Sequence, residues 1–207
     1  MSTLSKITSN RIIAIIRGLP PEHVLDVAQA LYAGGVRVLE ITMNSAEPLD
    51  AIRKVTQTFG DQMVVGAGTV LDTKMAAAAV AAGARFVLSP IVEREVIETT
   101  KDLGAISIPG AYTPTEIYAA FKWGADLIKV FPATSPGYIR ELAGPLPQIP
   151  LLPTGGITPQ NIKDYKDAGA VGFGIGSALV NAKQPVTPQS LEAMTEKARQ
   201  FVAAIAN

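Results

Sequence analysis

Two ionisable residues occupy segments whose neighbours are strongly apolar. Lys129 lies within Leu127-Ile128-Lys129-Val130-Phe131-Pro132, and Glu40 within Val38-Leu39-Glu40-Ile41-Thr42. Taking an ammonium group out of water disfavours its charged form. A neutral amine attacks a ketone to give an imine, which is an electron sink for C–C cleavage. A desolvated carboxyl likewise favours its acid form and can then give or take a proton. Both residues also have ordinary readings. Lys129 can pair with a core acid or reach the rim, and Glu40 can be that acid. The two readings are compatible, because a proton shuttle for an imine must lie near the amine.

Other polar residues follow apolar runs in the same way. Arg17 comes directly after Ile12–Ile16. Its guanidinium fork matches a carboxylate bidentately, although an arginine there also reads as an ordinary rim residue. Thr69, after Gly66-Ala67-Gly68, offers a hydroxyl and backbone N–H groups to the same carboxylate. Alternatively it caps the next helix, a job for which Asp72 competes. Thr154-Gly155-Gly156 and Gly176-Ser177 form two glycine turns, each expected to precede a helix, where free backbone N–H groups bind phosphate. The ordinary reading of these turns is tight packing of loop against strand.

These residues need a scaffold that presents strand ends side by side. Short apolar runs recur roughly every twenty to twenty-five residues: Ile12–Ile16, Val36–Thr42, Met63–Ala67, Phe86–Ser89, Ala105–Pro109, Leu127–Phe131, Pro150–Pro153 and Val171–Ile175. The runs are mostly continuous rather than alternating, as strands covered on both faces require. Helical patterns separate them. Val24, Val27, Ala28 and Leu31 form an i, i+3, i+4, i+7 stripe, stopped at Gly34 by a residue tolerant of the left-handed conformation. Thr113-Pro114-Thr115-Glu116 has the pattern of a capping box, and Thr158-Pro159 is expected to open another helix in the same way. A last helix runs from roughly Gln189 to Ala206, after a polar loop over Asn181–Pro188. Eight strand–helix units predict an α/β chain closed into a (β/α)8 TIM barrel, a single domain over residues 1–207, with its chemistry at the C-terminal strand ends. A doubly wound open sheet uses the same units, but no Gly-rich dinucleotide fingerprint follows the first run.

Composition removes other classes. The chain has 207 residues, 18 basic and 18 acidic, so no charge excess is available to grip nucleic acid or an anionic membrane. It has no cysteine and one histidine, His23, which leaves no set of Cys or His ligands for a metal site. No stretch approaches the roughly 20 apolar residues of a membrane span. A soluble, cytoplasmic protein that binds a small molecule without metal or cofactor is the expectation.

Read together and in order, Val38-Leu39-Glu40-Ile41-Thr42, Val65-Gly66-Ala67-Gly68-Thr69-Val70, Ile108-Pro109-Gly110, Ile128-Lys129-Val130-Phe131-Pro132-Ala133, Pro153-Thr154-Gly155-Gly156-Ile157 and Gly176-Ser177 closely resemble the 2-keto-3-deoxy-6-phosphogluconate aldolases and their 6-phosphogalactonate relatives. The resemblance spans Arg17 to Val180. It implies a homotrimeric, metal-independent class I aldolase of the Entner–Doudoroff type. By that resemblance Lys129 is the Schiff-base lysine, Glu40 the acid–base residue, Thr69 and an arginine the carboxylate clamp, and Phe131 a wall against the pyruvyl carbons. The same resemblance implies that Gly156, Gly176 and Ser177 hold the phosphate, with Gly155 beside them in its turn among the substrate-binding residues. Some members carry their arginine two residues after the position of Thr42, where this chain has Asn44; Arg17 takes the role here, as in other members. Thr154 is the residue expected to sense the C4 hydroxyl, and it favours the gluconate over the galactonate epimer. Cleavage of 4-hydroxy-2-oxoglutarate, another phosphate-binding barrel enzyme, and a non-catalytic barrel that binds a phosphorylated ligand are the alternatives.

Overall fold

The structure is a computed structural model and describes residues 1–206. Its strands are β1 (Ile12–Ile16), β2 (Val38–Thr42), β3 (Val64–Gly68), β4 (Phe86–Ser89), β5 (Ile106–Ala111), β6 (Ile128–Val130), β7 (Leu151–Pro153) and β8 (Phe173–Ile175). Its helices are α1 (Thr3–Asn10), α2 (Val24–Ala33), α3 (Pro48–Phe59), α4 (Thr73–Ala81), α5 (Arg94–Asp102), α6 (Pro114–Lys122), α7 (Pro136–Ala143), α8 (Ile162–Asp167) and α9 (Pro188–Ala206). All strand pairs are parallel, in the order β7-β6-β5-β4-β3-β2-β1-β8. A bridge between Thr154 and Gly174 joins the two ends. The eight units therefore close into the expected (β/α)8 barrel rather than an open sheet. Among the described residues no helix is long and apolar enough to cross a membrane.

The period of two along each strand divides the side chains between two cores. Outward residues such as Leu39, Ile41, Ile128 and Val130 pack with the helices in one large apolar cluster. Inward residues Ile13, Val38, Val64, Phe86, Ile108, Leu127 and Leu152 form a second cluster inside the barrel, joined from α1 by the buried Ile7. The continuous apolar runs thus belong to strands covered on both sides. Two residues further along the same inward faces come Glu40, Lys129 and Thr154. The barrel is filled at its N-terminal end, and its inward face turns polar towards the other.

Local signals held with two corrections. The stripe Val24, Val27, Ala28 and Leu31 is buried, as predicted. Gly34, however, is not the left-handed residue: its φ is −81°, and Gly35 takes that conformation at +96°. Gly34 is needed for space, since a Cβ there would lie 2.4 Å from Ala198 Cβ and 2.7 Å from the Thr195 carbonyl of α9. The capping box at Thr113–Glu116 is complete. Thr158-Pro159 does not open a helix: the Thr158 N–H donates to Asn161 Oδ1 at 2.8 Å, a side-chain-closed turn forms first, and α8 begins only at Ile162.

Candidate active site

A cavity of about 520 Å³ opens at the C-terminal ends of the strands. Arg17, Thr69, Lys129, Phe131, Thr154, Gly155, Gly156, Gly176 and Ser177 all line it. These are the residues singled out in the sequence, with one exception. Glu40 is not part of the lining: it is fully buried in the wall, where the charges of Lys129 and Arg17 reach it.

Glu40 owes its place to a neighbouring glycine. On β2 it registers with Gly66 of β3, and its side chain extends towards Gly68. A Cβ on Gly68 would lie 1.7 Å from Glu40 Oε1, so only glycine leaves room for the carboxyl. The second glycine of Gly66-Ala67-Gly68 is thus explained by the acid beside it. Neither carboxyl oxygen has a hydrogen-bond partner among the described residues, and no ion pair joins Glu40 to Lys129. Burial pushes the carboxyl above its ordinary value of 4.5, and the Lys129 and Arg17 charges oppose that shift only in part. A simple structural ion pair would look different. A buried acid whose proton is held more tightly than usual, with no hydrogen-bond partner and within reach of the Lys129 charge, is suited to moving protons.

Lys129, on β6 opposite Gly110 of β5 and Leu152 of β7, is 5% exposed. Its Nζ lies 5.2 Å from the centroid of the Phe131 ring, two residues on along the same inward face. Phe131 lines the cavity and is 47% exposed, an unusual exposure for a phenylalanine. The ring thus forms an apolar wall of the cavity beside the amine.

Arg17 leaves the end of β1 and is exposed. The competition between Thr69 and Asp72 is resolved: Asp72 Oδ1 accepts the Met75 N–H at 2.7 Å and caps α4. Thr69 faces the cavity instead, at φ +56°. A β-branched residue in the left-handed region is strained, at a cost on the order of 1–3 kcal/mol, and such strain gathers at functional sites.

The two glycine turns differ from expectation in one respect: neither leads directly into a helix. Thr158 to Asn161 form a turn before α8, and Gly176–Ser177 enters a single turn in which the Leu179 and Val180 N–H groups both donate to the Gly176 carbonyl at 2.9 Å. Any free backbone N–H groups here therefore belong to the turns themselves and not to a helix N-terminus. Gly155 and Gly156 have φ of +96° and +68°, a pair of left-handed residues that only glycine adopts without strain. Successive N–H groups in such a turn make a concave anion site. A Cβ on Gly176 would meet nothing within 4 Å, so packing does not explain that glycine. Thr154 is buried, lines the cavity, and has no partner for its hydroxyl among the described residues.

Several lining residues carried no sequence signal, among them Pro90, Asn181 and Lys183. The last two lie in the segment read only as a polar loop. It lines one side of the cavity, and within it the Lys183 N–H donates to Asn181 Oδ1 at 3.1 Å. The lining thereby holds the basic residues Arg17, Lys129 and Lys183 and no carboxylate, an electrostatic bias towards anions. Among the described residues no cluster of His, Asp and Glu could hold a metal ion.

Known proteins resemble this chain over almost its whole length. Residues 4–195 match the family model "Aldolase: KDPG and KHG aldolase". A 2-dehydro-3-deoxy-6-phosphogalactonate aldolase of Escherichia coli K12 is 35% identical over 196 residues, 93% of each chain. A KHG/KDPG aldolase of the same organism is 35% identical over 204 residues, 97% of this chain and 95% of the relative. Among solved structures, KDPG aldolase from Legionella pneumophila superposes with a TM-score of 0.85 at 28% identity, covering 97% of this chain and 98% of that one; in it pyruvate was captured as a covalent carbinolamine. A barrel with a buried lysine, a buried acid and this degree of likeness along nearly all its length belongs to the KDPG and KHG aldolase family of carbon–carbon lyases.

Proposed function

We propose that this chain cleaves 2-keto-3-deoxy-6-phosphogluconate to pyruvate and glyceraldehyde 3-phosphate through a Schiff base on Lys129. The observation that carries the reading is the pairing of a buried lysine at the floor of the cavity with a buried carboxyl that has no hydrogen-bond partner. Lys129 Nζ attacks the C2 ketone. Glu40 supplies and removes the protons of carbinolamine formation and loss of water, leaving an iminium. Glu40, or a water it holds, then takes the C4 hydroxyl proton. The C3–C4 bond breaks, its electrons move into the iminium as an enamine, and glyceraldehyde 3-phosphate departs. Protonation of the enamine at C3 and hydrolysis of the imine release pyruvate and restore the amine.

Arg17 and Thr69 hold the carboxylate, and Phe131 packs on the pyruvyl carbons. The turns at Gly155-Gly156 and Gly176-Ser177, with Lys183 beside them, take the phosphate. Thr154 faces C4 and selects the gluconate epimer. The galactonate epimer is the second reading, favoured by Arg17 at the end of β1, but an arginine at the carboxylate end is blind to C4. The enzyme works as a homotrimer in the cytoplasm, its whole chain one domain; the exposed apolar Leu71, Ile91 and Tyr112, after β3, β4 and β5, support a subunit contact on that side.

The test is chemical trapping. Incubation with pyruvate, borohydride reduction and peptide mapping are expected to give one adduct, on Lys129. Reduction that labels another lysine, or none, removes the mechanism.

A further inference from the structure

The ladder between β1 and β2 ends where Ile16 faces Ile41. Arg17 and Gly18 then leave the barrel wall in a turn, with Gly18 at φ +66°. A glycine in that region leaves the backbone free to swing unless something ties it. The tie is a side chain of the next loop: the Gly18 N–H donates to Ser45 Oγ at 2.9 Å. Ser45 is itself fixed to the end of β2. Its N–H donates to the Thr42 carbonyl at 3.0 Å, and its hydroxyl lies 2.9 Å from Thr42 Oγ1. Thr42 is fully buried and shares the inward face of β2 with Glu40. A chain of hydroxyls thus runs from the strand that carries the acid to the turn that carries the arginine.

We propose that Ser45 is a positioning residue for Arg17: its hydroxyl clamps the turn after β1 so that the guanidinium stands over the cavity at the substrate carboxylate. This rests on the reading that Arg17 holds that carboxylate. Arginine is long and its head is exposed here, so the direction of its reach is set largely by where its backbone is held. The bidentate geometry that makes Arg17 useful tolerates little drift of that origin. Ser45 touches no substrate in this scheme. It acts through the backbone of residue 18, and Thr42 acts through Ser45.

The experiment is a double-mutant cycle on pyruvate affinity, read from the pyruvate concentration that half-saturates borohydride trapping, together with kcat and KM. Ser45→Ala is expected to weaken pyruvate binding and raise KM about three- to tenfold, the scale of one neutral hydrogen bond, with kcat within about twofold of wild type. Ser45→Thr, which keeps the hydroxyl, restores affinity. In an Arg17→Leu background, Ser45→Ala has no further effect, because the group it positions is gone. A Ser45→Ala effect that adds fully to that of Arg17→Leu, or a fall in kcat with KM unchanged, overturns the proposal. Arg17→Leu with wild-type pyruvate affinity overturns the assignment of Arg17 itself, a result visible before Ser45 is touched.

Discussion

Alanine at position 68 would put a methyl carbon where the Glu40 carboxyl now lies. The added Cβ would stand 1.7 Å from Oε1, 2.4 Å from Cδ and 2.7 Å from Cγ of Glu40. Ordinary contact between heavy atoms is about 3.5 Å, so the carboxyl must retreat by more than an ångström. Glu40 is fully buried, and the apolar layer of the barrel closes off the space beneath it. The open direction is towards the cavity. The obstructed atoms are the far end of a flexible side chain, so the stability loss should sit near the low end for overpacking, about 1 kcal/mol, or roughly 2–4 °C in Tm for a chain of this size. The rate should suffer far more. Misplacing a proton-transfer group by about 1 Å costs on the order of 10²-fold. Gly68→Ala is therefore expected to fold, to remain trappable on Lys129, and to lose roughly two orders of magnitude in kcat. Release of pyruvate coupled to lactate dehydrogenase measures the rate, and calorimetry measures Tm. A kcat within about threefold of wild type would falsify the claim that Gly68 makes room for a working acid.

Glu40→Gln is expected to lower kcat by roughly 10² to 10⁴ while the barrel survives. Because burial raises the Glu40 pKa above 4.5 in the fold, its contribution to stability is complete below that value and declines as pH rises through the folded pKa. The Tm of the Gln variant should thus gain on wild type with rising pH, and a difference that stays flat from pH 4 upward refutes the raised pKa. Thr154→Val should change the ratio of kcat/KM for the two C4 epimers by about tenfold, the worth of one hydroxyl bond; a ratio that does not move removes Thr154 from selectivity. Lys183→Gln should raise KM for the phosphorylated substrate, most at low ionic strength, and leave pyruvate trapping unchanged; weaker trapping would place Lys183 at the wrong end of the cavity.

The barrel was legible because its strands announce themselves twice, as apolar runs and as the regular spacing of helix stops between them. The site was legible where a residue contradicts its surroundings. Lys129 among Leu127, Ile128 and Val130, and Glu40 among Val38, Leu39 and Ile41, cannot sit in a covered strand without a use or a partner. Gly34 shows the limit. Its sequence context predicts a helix stop, but the reason it must be glycine is α9, more than 150 residues later, whose Ala198 presses against it. The turns after β7 and β8 misled in the same way. Proline after threonine is a sound helix-start signal, yet Asn161 captures the Thr158 N–H and closes a turn before the helix begins. Lys183 left no trace at all, because nothing in a polar loop states which way it folds.

The inward face also shows why the glycines lie where they do. A closed ring of strands has room for one large side chain per neighbouring pair near its axis, and the lower layer fills that room with Val, Ile, Leu and Phe. One layer up, a chain that must leave a cavity cannot repeat the pattern. Here a polar residue on one strand is matched with a glycine on the next: Glu40 lies over Gly68, and Thr154 over Gly174, where a Cβ would stand 2.2 Å from its hydroxyl oxygen. Each glycine gives up apolar burial and adds backbone entropy to the unfolded chain, and each unpartnered polar atom adds a desolvation cost of about 1–3 kcal/mol. Stability alone would favour alanine or valine at the glycines and an apolar residue beside them. Keeping the opposite choice on two separate strand pairs of one cavity wall, with the lysine between them in the ring, fits a wall shaped around a reacting ligand and not around the fold.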